Sequence, residues 1–264
     1  MIRFCPLFSS SSGNSVYIGD SDGGILVDVG RSAKQTDLML KIIGVDPCEI
    51  KGIFLTHEHI DHVNGLCVFA KKYQIPVHAS TGTILALKQK GTLCEKHIDI
   101  SINDEPISVA GLEIKPFKTS HDCADGRGYV VTGCDGSTKI AVATDTGYVS
   151  NDILQHLTGC RLVYIESNHD VAMLRSGPYP YQLQKRILSD VGHLSNDACA
   201  DTLTALINKG TTHFVLAHLS QENNTPDLAY NTSVTALRDM GALPNRDYIL
   251  KVAEPENTGG ILTV

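Results

Sequence analysis

Three histidines and an aspartate fall within six residues in His57-Glu58-His59-Ile60-Asp61-His62, just after the apolar run Ile53-Phe54-Leu55. Imidazole nitrogens and carboxylate oxygens are the donors that divalent metal ions take up, and a site needs several of them converging within bonding distance. In an extended segment His57 and His59 point the same way. A turn through Ile60 then brings Asp61 and His62 round to a second, adjacent ion. The alternative is a polar loop that happens to be rich in histidine. It leaves the position of this cluster, at the carboxyl end of a strand, without a reason.

The elements that must position these residues follow from patterning. Runs rich in β-branched residues predict strands over 2–8, 15–18, 25–29, 51–56, 75–78, 112–119, 128–132, 139–143, 162–166, 213–217 and 248–252. Helical spacing predicts helices over 34–43, 63–73, 81–90, 151–156, 181–188, 197–209 and 227–239. Ser195 or Asn196 suits the N-cap of the sixth of these, and Thr225-Pro226 places a cap before a proline at the first helical position. No Pro/Gly/Ser-rich linker, repeat or low-complexity tract divides the chain. The expectation is one α/β domain over residues 1–264, with two mixed sheets sandwiched between helices.

Composition sets the outer bounds. The 264 residues suffice for a full core, and no apolar run approaches the ~20 residues a membrane span needs. The start, Met1-Ile2-Arg3-Phe4-Cys5-Pro6, does not read as a signal peptide. The eight cysteines, Cys5, Cys48, Cys67, Cys94, Cys123, Cys134, Cys160 and Cys199, include no C-x-x-C pair, which argues against a thiolate zinc site. Reduced thiols in a cytoplasmic protein are expected. A net charge of −7 does not advertise a nucleic-acid binder, although metal ions or a local basic patch can still attract phosphates.

H-x-H-x-D-H after a strand resembles the signature of the metallo-β-lactamase superfamily, and the remaining pieces follow in the superfamily's order. Asp28 in Leu26-Val27-Asp28-Val29-Gly30 resembles the strand-end aspartate that braces the metal loop. His121 in Thr119-Ser120-His121-Asp122 looks like the third-motif histidine, Asp145 in Thr144-Asp145-Thr146-Gly147 like the bridging aspartate, and His218 in Ala217-His218-Leu219 like the final ligand. Alone, none of these three would stand out, since a lone histidine is usually structural and Asp-Thr-Gly is an ordinary turn. The resemblance spans essentially the whole chain and implies an α/β fold, the αββα sandwich. It implies that His57, His59 and His121 bind one metal and Asp61, His62 and His218 the other, with Asp145 and a hydroxide bridging them. Mixed nitrogen and oxygen ligation suits zinc or manganese, and also iron. Two ions about 3.5–4 Å apart lower the pKa of a shared water and stabilise attacking and leaving oxygens. Thr56 and Asp122 are candidates for satisfying the far nitrogens of the ligand histidines.

Departures from other branches narrow the resemblance. Flavodiiron proteins carry a glutamate where His59 stands, and many β-lactamases of this fold a cysteine where Asp145 stands. The aspartate is similar to that of the phosphodiesterases and of the thioesterase glyoxalase II. The stretch from Asp145 to His218 is too short for the domain inserted in ribonuclease J-type nucleases. Glu166 and His193 resemble the proton-donating pair of ribonuclease Z, where a carboxylate keeps a histidine protonated for a poor alkoxide leaving group. With Asp61 they make up the implied catalytic set. The segments 10–15, 166–170, 192–196 and 218–224 together resemble the YycJ/WalJ group, which is associated with 5′-to-3′ exodeoxyribonuclease activity.

Candidate substrate contacts are Ser12, Asn14, Asn168, His169, Ser195, Asn223 and Asn224, with Asp170 beside them. The serine run is either a phosphate-holding loop or a plain hairpin turn. Arg175, Tyr179, Tyr181, Lys185 and Arg186 combine charge for phosphates with rings for bases, and equally suit a solvated helix face. The reading is a dinuclear metal-dependent hydrolase acting on nucleic acid, with DNA expected and no membrane partner. The rivals are hydrolysis of a small ester, thioester, lactone or cyclic phosphodiester, and a metal-stabilised binding protein without turnover.

Overall fold

The structure, a computed structural model, describes residues 1–93, 97–257 and 259–264; Cys94 therefore lies outside the described residues. The chain forms two compact units, one of residues 1–116, 123–138 and 254–264, the other of residues 117–122 and 139–253.

In the first unit β1 (Arg3–Ser10), β2 (Gly13–Asp20) and β3 (Gly23–Val27) form an antiparallel meander. β4 (Ile50–Phe54), β5 (Val77–Ser80) and β6 (Asp99–Ile102) continue it in parallel, and β14 (Leu262–Thr263) closes the other edge beside β1. β1, β2 and β3 are buried along almost their whole length, on both faces. α1 (Ala33–Ile42), α3 (Leu66–Tyr73) and α4 (Thr81–Gln89) contribute Met39, Leu40, Leu66, Phe69, Ala70, Ile84 and Leu87 to a core that also holds Leu26, Ile53, Leu55 and Val77. The Leu66, Phe69, Ala70 spacing is the one-faced stripe of an amphipathic helix. β7 (Ile107–Val109), β8 (Leu112–Lys118) and β9 (Arg127–Thr132) follow in that spatial order.

One helix expected over 63–73 is instead two, α2 (Ile60–Val63) and α3. The break falls at Gly65, where a Cβ would stand 2.1 Å from the Arg31 carbonyl oxygen, so the backbone there serves a close approach. β6 and β7 escaped the sequence reading because they are short and half-exposed, without a full apolar run.

In the second unit β10 (Lys139–Ala143), β11 (Leu162–Glu166), β12 (His213–Ala217) and β13 (Ile249–Val252) form a parallel sheet in that spatial order. β11 and β12 have the bounds the sequence predicts. The helices are α5 (Asn151–Leu157), α6 (Val171–Ser176), α7 (Tyr181–Ile187), α8 (Asn196–Ile207) and α9 (Pro226–Asp239). Ser195 caps α8 and Thr225 caps α9, as the sequence suggests. α6 was missed; Asp170 caps it by accepting from Met173 N at 2.7 Å. Asp145, Glu166 and His218 all lie at or just past the carboxyl ends of these parallel strands, where open α/β sheets place their chemistry.

No described helix is long and apolar enough to cross a membrane.

Candidate functional site

The first unit presents the histidine loop that follows β4. Asp28, just past β3, takes φ 64°, a left-handed turn that directs its carboxylate at this loop. Its Oδ1 accepts from Thr56 N and its Oδ2 from Thr56 Oγ1, each at 2.8 Å, and Oδ2 stands 2.7 Å from His62 Nδ1. That contact places the His62 proton on Nδ1 and turns the Nε2 lone pair the other way. Nε2 then lies 3.4 Å from Asp61 Oδ2, and Asn14 Nδ2 is 3.2 Å from each of those two atoms. Burial pushes the Asp28 carboxyl up from its ordinary value, against the pull of His62 and Thr56.

The α2 turn is what swings Asp61 and His62 round after Ile60. The His57 ring lies edge-on to His59, with centroids 4.5 Å apart, and 4.2 Å from His62. Thr56 Oγ1 is 3.0 Å from His57 Nδ1, so Asp28 and Thr56 contact the Nδ1 atoms of His62 and His57. Glu58, between the two histidines, faces away and accepts from Ala124 N.

The second unit gathers His121, Asp145, Glu166, His193 and His218. Asp145 and His218 take φ 55° and 54°, the same left-handed exit from a strand as Asp28. Such backbone is sparsely populated for residues with a Cβ and clusters at functional sites. Glu166 is fully buried, and its Oε1 stands 2.8 Å from His193 Nδ1 and 2.9 Å from His218 Nδ1. Its Oε2 accepts from Thr146 N and Leu194 N. Burial works against the charge on Glu166, but His193 and His218 outweigh it and hold the carboxyl below its usual range. Asp145 Oδ1 lies 3.2 Å from His218 Nδ1, 3.8 Å from His193 Nδ1 and 4.0 Å from His121 Nε2. One donor atom from each of Asp145, Glu166, His193 and His218 falls within 4.8 Å of the others, a set suited to a cation. His121 Nδ1 is held by the Gly192 carbonyl at 2.9 Å, which presents Nε2 inward.

Two relationships here have no local sequence signal. Glu166 orients His218 as well as His193, and the brace on His121 is a backbone carbonyl. Asp122 instead spends its carboxylate on a two-pronged ion pair with Arg186, while Oδ1 stays 3.4 Å from His121 Nε2.

The candidate substrate contacts divide. Asn168 Nδ2 donates to the His218 carbonyl, and Asn224 Nδ2 contacts the Ser167 and Asn168 carbonyls and Asn196 Oδ1. Ser195 Oγ accepts from Ala198 N as a helix cap. The two asparagine side chains shape the loop that carries His218. Asn223 is buried, its Nδ2 reaching Ser220 Oγ at 3.4 Å. His169 is buried with no hydrogen bond to either ring nitrogen, and burial lowers its pKa to about 4. In the first unit Asn14 touches the metal loop, and exposed Ser12 accepts from Arg31. Arg31 was overlooked, since a single arginine carries no motif.

Residues 10–218 match the family model described as the metallo-beta-lactamase superfamily. The exodeoxyribonuclease YycJ of Bacillus anthracis is 38% identical over 242 residues, 91% of this chain and 90% of that protein. The exodeoxyribonuclease WalJ of Streptococcus pneumoniae is 37% identical over 238 residues, 89% and 88% of the two chains. Among solved structures, the metallo-beta-lactamase fold protein YhfI from Bacillus subtilis superposes with a TM-score of 0.72 at 18% identity, covering 97% of this chain and 98% of that one. Likeness at that identity speaks for the fold, the α/β class with two mixed sheets flanked by helices that the sequence implies.

Proposed function

Because the chain belongs to the metallo-beta-lactamase superfamily, we propose that it is a metal-dependent nuclease that degrades DNA from the 5′ end. The names of its YycJ and WalJ relatives support this substrate class. The observation that carries phosphodiester cleavage is the buried Glu166 carboxylate 2.8 Å from His193 Nδ1, beside Asp145. A phosphodiester differs from a thioester in needing a proton for a strongly basic leaving alkoxide, and this pair supplies a donor.

The donor chemistry fits divalent cations. Imidazoles and carboxylates converge in both clusters, and second partners fix the far nitrogens of His57, His62 and His121. His57, His59 and His121 are proposed to hold one ion and Asp61, His62 and His218 the other, with Asp145 shared, as the family resemblance implies. Zinc or manganese suits such a mixed set, and iron also fits. Bound there, the ions supply Lewis acidity and an activated water.

The chain's own residues do the rest. Asp28 and Thr56 hold His57 and His62 in one tautomer and orientation. Glu166 keeps the His193 ring aimed, so that His193 delivers a proton to the leaving oxygen. Asn168 and Asn224 fix the strand-end loop of His218. A cytoplasmic setting is proposed as well.

The test is a cleavage time course on end-labelled single- and double-stranded DNA and matched RNA, with manganese or zinc returned to chelated protein. Metal-dependent release of mononucleotides from the 5′ end of DNA is the expected result. Metal-loaded protein that cleaves no strand but turns over small esters or cyclic phosphodiesters would overturn the proposal.

A further inference from the structure

Arg31 sits in the first unit between Gly30 and the cap of α1, outside every motif described above. Among the described residues it makes no ion pair, although the chain carries a net charge of −7. Its Nη2 donates to Ser12 Oγ at 2.9 Å, and its Nε is buried without a hydrogen bond. The stem lies flat on Gly13, where a Cβ would stand 2.6 Å from Arg31 Cδ, so the guanidinium is held in place rather than waving in solvent. Ser12 is itself fixed, its Oγ 2.9 Å from Ser10 Oγ.

This arginine is tied to the metal loop on both sides of its backbone. Gly30 N donates to the Asn14 carbonyl at 2.8 Å, and Asn14 Nδ2 in turn reaches Asp61 and His62. A Cβ at Gly30 would stand 1.7 Å from the Asp61 carbonyl oxygen, and one at Gly65 would stand 2.1 Å from that of Arg31. The guanidinium is thus a rigid, unneutralised fork fixed over Gly13 and Ser12, on a backbone whose preceding residue, Gly30, packs against the Asp61 carbonyl. Leaving a charged group partly desolvated without a counter-ion costs free energy, and an arriving anion offsets that cost. The planar fork matches phosphate oxygens two at a time, with Ser12 as a further hydroxyl.

We propose that Arg31 and Ser12 form a subsite for a phosphate of the nucleic-acid strand next to the one being cleaved. The inference rests on the nuclease reading for its ligand. The phosphate is either the terminal 5′ monoester or the neighbouring diester, and both present the same oxygens to the fork.

Binding to chelator-treated protein separates this from turnover. The probe is a 3′-fluorescent hexadeoxynucleotide bearing a 5′-phosphate or a 5′-hydroxyl, titrated at several salt concentrations. Arg31→Met keeps the stem over Gly13 and removes the charge. It is expected to weaken binding about tenfold, as loss of a charge-assisted contact does, and to lower the log–log salt slope by about 0.7, one phosphate's worth on a single strand. Arg31→Lys should restore part of both. A loss confined to the 5′-phosphate probe assigns the terminal monoester, and an equal loss on both probes assigns the internal diester. Unchanged affinity and slope in a variant that melts at the wild-type temperature would overturn the subsite, as would failure of the wild type to bind either probe. A variant that also loses zinc affinity would overturn it too, since Arg31 would then act through the metal loop. If the wild type binds the probes and cleaves no DNA, the nuclease reading fails while the subsite stands.

Discussion

Asp28 Oδ2 and His62 Nδ1 lie 2.7 Å apart across 34 positions of sequence, and the same carboxylate holds both the N–H and the hydroxyl of Thr56. One buried acid therefore sets the orientation of the loop on which His57, His59, Asp61 and His62 stand. Asp28→Asn should weaken metal binding by about 10- to 100-fold, as loss of such a brace does. Competitive zinc titration against a fluorescent chelator measures this. Wild-type affinity in the variant would mean that the loop is positioned without Asp28.

His193→Ala should lower kcat by about 100- to 10,000-fold, the range for losing a general acid. Metal content should stay at the wild-type level, since His193 is proposed to move a proton rather than to hold an ion. Glu166→Gln should be worse in a second way, because Glu166 also orients His218. Its metal content should fall along with kcat. Loss of metal from His193→Ala would instead make His193 a ligand.

Stripping the metals should abolish turnover and lower the melting temperature. Each ion held at 100 times its Kd stabilises the folded chain by about 2.7 kcal/mol. That corresponds to roughly 5–10 °C per ion for a chain of this size. A melting curve that ignores chelator and added zinc alike would count against tightly bound cations.

His78, stacked on Phe54 with ring centroids 4.5 Å apart, gives the fold an acid sensitivity unrelated to catalysis. Burial lowers its pKa to about 4 from 6.5. The unfolded chain therefore binds the proton more readily, and the contribution to stability is complete above pH 6.5 and disappears as pH falls towards 4. Between pH 7 and pH 5 it amounts to about 2 kcal/mol by linkage. Urea unfolding of wild type and His78→Phe at both pH values tests it: the wild type should lose about that much more than the variant. Equal losses would clear His78.

Gly30→Ala should be among the costliest single substitutions in the first unit, because the new methyl meets the Asp61 carbonyl oxygen and the Asn14 N–H, both backbone. Destabilisation above roughly 3 kcal/mol is expected, with metal affinity reduced as the loop shifts. Gly44, whose added Cβ would meet nothing within 4 Å, has φ +75°, so Gly44→Ala should cost only the local backbone strain. Comparable unfolding midpoints for the two variants would show that the Gly30 contact is readily relieved.

Much of the architecture followed from the sequence because its causes are local. β11 and β12 are unbroken apolar runs, α8 and α9 begin at side-chain caps, and His57 to His62 is dense enough in donors to stand out as a candidate metal loop unaided. Asp28, Asp145 and His218 gained meaning from their order along the chain, since a single acid or histidine has no local pattern to distinguish it.

Tertiary structure decided what depends on approach between distant segments. No periodicity says that Glu166 serves two histidines, that Asn168 and Asn224 spend their amides on the loop backbone, or that Asp122 pairs with Arg186. Nor could the helix predicted over 63–73 show its break, because the cause is a carbonyl 34 positions away, at Arg31. Local patterning selects elements through backbone propensity and the hydrophobic effect. The partner each polar atom finds is set only when packing brings those elements within hydrogen-bond reach.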